Sequence, residues 1–327
     1  MVRKEPSLGR LKTLVKVEQL ADMLNRHGCT EDQIAKIIRL RPTLTTVSAE
    51  RVLEPKIKVL IDLGMETENI AKIVVRHTAI LTSKQEILRS NSDFLRTVFQ
   101  TKDFLITAIM RSPSILCLKA LKPSVAFWEG FGFRGIELIK FLLFNPRVLT
   151  YSSLTPEQLD LIRKIGIQKE KKMYKYVVSM VANNRIEVLQ VKIDNLQLCG
   201  LSPEEAWEIV RAEPSVLTKS EENVKKKMNF MFNHMQLSVN YVTKHPRMFT
   251  MSLDKVMRPR FLVLQSMTAM NGAGQVNPRG LLTILMMTQA KFVARIIQAH
   301  PEYAALWTVY KNALANVSKS PKVKWRY

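Results

Sequence analysis

The chain has 327 residues, 46% of them hydrophobic and only 7% aromatic, with 11 glycines and 14 prolines. That apolar share supports continuous burial and excludes wholesale disorder, and the length calls for two domains or one extended repeat array. Fifty Lys and Arg against 28 acidic residues leave a net charge of +22, which repels itself, attracts polyanions and points to phosphate neutralisation by nucleic acid. A generally basic organellar or ribosome-associated protein is the blander reading.

The start, Met1-Val-Arg-Lys-Glu-Pro, has neither an apolar signal region nor the acid-poor, Ser/Arg-rich character of a transit peptide, so a processed chain would have lost its address. Thereafter the sequence repeats. Arg41-Pro-Thr-Leu-Thr-Thr, Ser112-Pro-Ser-Ile-Leu-Cys, Asn145-Pro-Arg-Val-Leu-Thr, Glu213-Pro-Ser-Val-Leu-Thr and His245-Pro-Arg-Met-Phe-Thr share one shape, and His77-Thr-Ala-Ile-Leu-Thr has it with Thr78 in place of Pro. The anchors Pro42, Thr78, Pro113, Pro146, Pro214 and Pro246 are 36, 35, 33, 68 and 32 residues apart. The interval of 68 is two units of 34, so a worn unit is expected near residue 180, within Ser179 to Arg185.

Gly28, Gly64, Gly132, Gly166 and Gly200 each precede an anchor position by 14 residues. Phe99 and Phe232 stand at the equivalent positions before Pro113 and Pro246, so those two units end their first helix without glycine. Ahead of the glycine runs an apolar stripe at helical spacing, such as Ile57, Leu60 and Ile61, and Gly accepts the left-handed C-terminal cap. Thr30-Glu-Asp-Gln and Ser202-Pro-Glu-Glu are capping boxes that start a shorter second helix. Its buried face is read at Ile34, Ile37 and Ile38, at Ile70, Ile73 and Val74, and at Leu138, Phe141 and Leu142. The anchor proline ends that helix. Two apolar residues such as Val216 and Leu217 then reach inward, and a Thr follows, often with Ser two residues on (Thr150/Ser152, Thr218/Ser220, Thr250/Ser252), to cap the next unit.

One such unit cannot bury both faces alone, so stacked neighbours complete a helical solenoid. The absence of strands excludes a parallel sheet or Rossmann fold. The array is read over 1–266. Thr268 to Gly280 reads as a loop, with Asn277-Pro-Arg-Gly-Leu-Leu-Thr as a decayed anchor 32 residues after Pro246. Helices resume near Leu281 to Met287, Lys291 to Ala299 and Tyr303 to Val317 as an irregular C-terminal cap over 267–317, followed by a basic tail, 318–327.

Cys29, Cys117 and Cys199 lie far apart, with no CxxC pair and no Cys/His cluster. No disulfide framework or metal site is expected, and a reducing compartment fits. No apolar run approaches the ~18 residues of a spanning helix; Leu138 to Leu143 is the most hydrophobic stretch, so a soluble chain with no membrane partner is expected. His27, His77, His234, His245 and His300 share no triad or metal spacing, and no P-loop, GxSxG or paired-carboxylate arrangement is present. Neither catalysis nor a cofactor is expected.

The unit, with Gly 14 residues before the Pro of x-Pro-x-h-Leu-Thr (h apolar), resembles the repeat of the mitochondrial transcription termination factor (mTERF) family over nearly the whole chain. Leu53-Glu-Pro-Lys-Ile-Lys-Val-Leu-Ile-Asp-Leu-Gly, Asp93-Phe-Leu-Arg and Ser252-Leu-Asp-Lys-Val-Met-Arg-Pro-Arg look most like its plant and green-algal branch. Tetratricopeptide repeats have a similar period, but their Trp/Gly/Tyr/Ala pattern is missing. The resemblance implies an all-α, left-handed superhelical solenoid of about seven or eight units, shaped as an open half-ring, in the mitochondrion or alternatively the chloroplast. Its concave face would grip nucleic acid.

Basic residues recur where each anchor turn passes into the next first helix: Arg51 and Lys56, Lys84 and Arg89, Lys119 and Lys122, Lys225, Lys226 and Lys227, and Lys255, Arg258 and Arg260. Because a solenoid repeats position with sequence, these are expected to form a phosphate-tracking ladder; each taken singly could equally be a solvated helix face. Arg147 and Arg247 are weaker candidates that could cap carbonyls of the preceding helix. Phe127, Trp128, Phe131, Phe133, Phe141 and Phe144 are read as core, with base stacking left open for Tyr151 and Tyr241. Lys169, Lys171, Lys172 and Lys175 of the worn unit read as an exposed helix, with phosphate contact or a hinge as alternatives. The leading expectation is a monomeric, sequence-preferring binder of double-stranded DNA acting in organellar transcription termination. An RNA-binding factor for splicing, RNA maturation or ribosome assembly is the second reading, and a solenoid adaptor for an organellar protein the third.

Overall fold

The computed structural model describes residues 15–272 and 276–318. Among them every regular element is helical, with no strand. The N-terminal start and the tail after Ser318 lie outside the described residues. The chain divides between Thr155 and Pro156 into two compact bodies, each built from the same unit.

In the first body the units comprise Val15–Arg26 with Glu31–Leu40, Glu54–Asp62 with Thr67–Arg76, Gln85–Phe99 with Lys102–Arg111, and Leu121–Phe131 with Gly135–Phe144. Each pair is closed by a short anchor turn: Pro42–Thr46, Ala79–Thr82, Pro113–Cys117 and Pro146–Thr150. The anchor turns that begin with proline are 3-10 helices. Proline starts such a turn readily because its fixed φ suits the first helical position and its missing N–H would have had no partner there. The anchor threonine closes the same turn rather than capping the next helix: Thr46, Thr82 and Thr150 donate to the carbonyls of Thr43, Ala79 and Arg147. The capping falls to the serine two residues later, and Ser48, Ser220 and Ser252 accept from the backbone N–H of Arg51, Asn223 and Lys255.

Both capping boxes form, on Thr30/Gln33 and Ser202/Glu205. The expected second-helix faces at Ile34, Ile37, Ile38, Ile70, Ile73, Val74, Leu138, Phe141 and Leu142 are buried. In the first helix of the second unit Ile57 and Leu60 are buried, but Ile61 is exposed and Val59 takes the inward place. The five phased glycines all have positive φ. At Gly28 (φ +83°) a side chain would also meet Thr67 Cγ2 at 2.9 Å. The units lacking the glycine still make the left-handed turn, through Gln100 (φ 62°) and Gln236 (φ 53°). Trp128 and Phe141 are wholly buried and Phe133 stacks on Phe141 at 3.9 Å, whereas Phe144 is exposed.

Arginines near the end of the second helix join successive units. The Arg76 guanidinium donates to the carbonyls of Met110 and Arg111, and Arg111 in turn donates to those of Leu143 and Phe144. Helix C-termini leave carbonyls without intrahelical donors, and a cation placed there satisfies them and opposes the negative end of the helix dipole.

The second body opens with the worn unit, Pro156–Ile165 and Tyr174–Ala182. No anchor turn follows. Instead Asn183 and Asn184 turn back on the Ser179 and Met180 carbonyls, so amide side chains end the helix where proline is missing. Two regular units follow: Ile186–Leu198 with Pro203–Ala212 and Pro214–Thr218, then Glu221–Asn229, continuing through Phe230–His234, with Val239–Lys244 and Pro246–Thr250.

The first helix of the last unit runs from the π-turn Leu253–Met257 through Arg258–Met270, so the expected boundary at 266/267 falls inside one helix and Thr268 is helical. Tyr303–Ser318 packs on this helix around Val263, Phe292, Ile297, Leu306 and Tyr310. Asn277-Pro-Arg forms the same local turn as Asn145-Pro-Arg, each Asn side chain accepting from the Arg backbone. The true equivalent of the anchor turn lies further on, in Leu281–Leu285. Thr288 caps the next helix six residues after Leu282, as Ser220 and Ser252 do after Pro214 and Pro246.

Candidate nucleic-acid interface

The expected ladder divides into two sets with different jobs. Lys56, Lys227 and Arg260 are buried, and their side chains hold carbonyls of the anchor turns. Lys56 Nζ donates to Leu81 O at 2.6 Å, Lys227 Nζ to Phe249 O at 2.6 Å, and Arg260 to Leu285 O and Met287 O at 2.6 Å each. These three are therefore corrected from phosphate ligands to internal braces.

The same brace recurs in other units with different chemistry. Asn91 donates to Leu116 O and Leu118 O, Trp128 to Val148 O, Gln158 to Val181 O, and Lys192 to Leu217 O and Lys219 O. A short helical turn or helix end leaves open carbonyls, and the first helix of the same unit lies close enough to supply a donor. The sequence signal was a polar or indole donor 20 to 27 residues before the carbonyl it serves. The brace at Leu285 and Met287 also fixes the last anchor register, because Asn91 and Lys192 reach the same pair of carbonyls two residues apart.

Burial lowers the affinity of these lysines for their proton. Lys56 and Lys192 are depressed by desolvation, partly countered by Glu86 and Glu221. Lys227 has no such carboxylate and feels Lys219 as well, so its value drops to about 8. Arg260 stays over the Phe292 ring at 4.9 Å, where the aromatic face supports its charge.

The second set faces water. Arg51, Lys84, Arg89, Lys119, Lys122, Arg147, Lys225, Lys226, Arg247 and Lys255 are exposed, and Arg258 is half-buried. Arg51 and Lys255 lie on the first turn after their capping serines, Lys84 is the N-cap residue of Gln85–Phe99, and Lys122 opens Leu121–Phe131. Each thus stands beside the open N–H groups of a helix start, which favour an anion. Lys226 is paired with Glu222 at 2.6 Å and Arg258 with Asp254 at 3.7 Å, so both carry less unbalanced charge. Arg147 and Arg247 cap no helix carbonyl among the described residues.

Two further expectations are placed by the structure. Lys169, Lys171 and Lys172 are exposed in the turn region between the helices of the worn unit rather than on a helix, and Lys175 lies over Tyr176. Tyr241 is half-buried with its hydroxyl donating to Pro278 O at 3.0 Å, which ties down one of the two tyrosines left open for stacking. Among the described residues no three His, Cys, Asp or Glu side chains gather as a metal site, and no helix is long and apolar enough to cross a membrane.

Fold and surface together define an all-helical repeat protein that presents phased cations at the starts of its first helices. The mTERF family model matches residues 1–114 and 93–293, and the chain belongs to the mTERF family. It is 21% identical over 308 residues to transcription termination factor MTERF15, mitochondrial, of Arabidopsis thaliana, covering 92% of this chain and 67% of that protein. It is 22% identical over 256 residues to transcription termination factor MTERF8, chloroplastic, of the same plant, covering 76% of this chain and 50% of that protein.

Proposed function

We propose that this protein is an organellar nucleic-acid-binding factor of the transcription-termination type that holds double-stranded DNA by its phosphates. The observation that carries this reading is the recurrence of exposed cations at first-helix starts, Arg51, Lys84, Lys119 and Lys122 in one body and Lys255 in the other, with Lys225 exposed in the middle of a first helix. Phosphate contact of this kind positions a protein on nucleic acid and supplies most of its affinity, without reading sequence. The names of the two relatives support the termination role. They also support an organellar address, which we place in the mitochondrion, with the chloroplast as the alternative. The arrangement calls for no catalytic step.

The test is fluorescence anisotropy of the full chain on labelled duplex DNA over a salt series, with single-stranded and structured RNA as competitors. With ~6–10 phosphates engaged, log affinity falls against log salt with a slope of roughly −5 to −9. A flat salt response sinks the phosphate reading, and stronger competition by RNA than by duplex DNA moves the target to RNA.

A further inference from the structure

The sixth unit breaks the charge pattern of the chain. From Ile186 to Glu213 there are six acidic residues, Glu187, Asp194, Glu204, Glu205, Glu208 and Glu213, against two cations, Lys192 and Arg211, in a chain of net charge +22. Both cations are engaged: Lys192 braces the anchor turn and Arg211 donates to Lys164 O while lying over Trp207. Glu187, Asp194, Glu204 and Glu208 are exposed and make no ion pair among the described residues.

The same unit also exposes apolar surface. Leu198 is 79% accessible, with Val191 and Val188 on the same helix nearly half accessible. Val191 and Leu198 lie two turns apart on one side of Ile186–Leu198, and Glu187 and Asp194 fall on the turns beside them. Gln190, hydrogen-bonded to Asp194 at 2.8 Å, forms the edge of an open crevice of about 490 Å³. Trp207, Leu161, Ile186, Glu157, Asp160 and the exposed Arg163 also line it, so the acidic excess lies on the Glu187/Asp194 side of the face rather than in the crevice itself. Lys164 lines it too, but is paired with Asp160 at 3.1 Å.

We infer that this acidic, apolar face is a docking site for a basic amphipathic helix of a partner protein, one of whose apolar side chains enters the crevice beside Trp207. The choice of occupant follows from charge. Carboxylates repel phosphate, so nucleic acid is disfavoured on this face, and exposed carboxylates beside apolar residues suit a helix carrying Lys or Arg next to Leu or Phe. The site uses none of the ladder's residues, so either can fail without the other.

The test places a photo-crosslinking amino acid at Leu198 of the full chain in organelles and maps the adduct by mass spectrometry. The expected adduct is a segment of another protein with net positive charge and apolar residues three and four apart. The double variant Glu187→Lys, Asp194→Lys is expected to reduce its yield at least tenfold while duplex DNA affinity stays constant or rises. Thermal unfolding of the double variant verifies that the fold is kept; if it is not, Glu208→Lys alone gives the same reading from the second helix. An adduct on nucleic acid, on a second copy of this chain or on an acidic segment overturns the inference. So does no adduct, or a yield indifferent to charge reversal.

Discussion

Lys56 and Lys122 lie near first-helix starts of one body, two units apart, and do opposite work. Lys56 makes a charge-assisted bond to a buried carbonyl, and such bonds contribute about 1.5–3 kcal/mol. Lys56→Ala is therefore expected to lower unfolding free energy by about that amount in a denaturant titration, with the salt dependence of DNA binding by the folded fraction unchanged. Lys122 is exposed. Lys122→Ala should leave stability within about 0.5 kcal/mol and make the salt slope shallower by about 0.9. If Lys56→Ala weakens binding at full stability, the division between braces and ligands is wrong.

Lys227 adds a pH dependence of definite sign. Its folded-state value is about 8, below the unfolded value of about 10.4. Below pH 8 both states carry the proton and the folded state bears the full cost of a buried charge. Between these values the unfolded chain binds more protons, so stability rises with pH. Subtracting the curve of Lys227→Met from that of the wild type removes the other titrating groups. The difference should favour the wild type increasingly from pH 8 to 10, and a flat difference would show that Lys227 is not depressed.

At the scale of the element, the helix–helix turn tolerates two solutions. Gly28 uses a residue without a side chain, whereas Gln100 holds φ 62° with one. The left-handed region costs a non-glycine residue roughly 1–2 kcal/mol, partly offset by the greater unfolded-state freedom of glycine. Gln100→Gly is therefore expected to raise unfolding free energy by about 0.5–1 kcal/mol, read as a shift in denaturant midpoint. Gly28→Ala should lower it by at least 1 kcal/mol, because the added methyl meets Thr67 as well.

The units themselves were legible because period, proline and glycine are local signals. What escaped were features set by partners distant in sequence. Asn277-Pro-Arg reproduces an anchor locally, but the register is decided by where Arg260 finds open carbonyls, at Leu285 and Met287. Lys226 and Lys227 are adjacent, yet one pairs with Glu222 a turn back and the other lies on the buried stripe with Val224 and Met228; one residue of helical rotation separates them, and which carbonyl the buried one meets is set by a partner distant in sequence.

For the whole molecule, the decisive measurement is the combined loss of surface cations. Arg51, Lys122, Lys225 and Lys255 replaced together by alanine should weaken the salt slope by roughly 3 to 4, with the helical spectrum unchanged. An unaltered slope would leave the adaptor reading as the better one.

The sequence by itself determined the helical class, the unit of about 34 residues, the positions of the anchors and the excess of positive charge, because each depends on backbone chemistry or on simple counting. Only the tertiary structure decided how that charge is used. A lysine on a first helix becomes a brace when the helix turns it toward open carbonyls of its own anchor turn, and a candidate phosphate ligand when the helix turns it toward water. That rotation is set by packing against neighbouring helices, which no single stretch of sequence records.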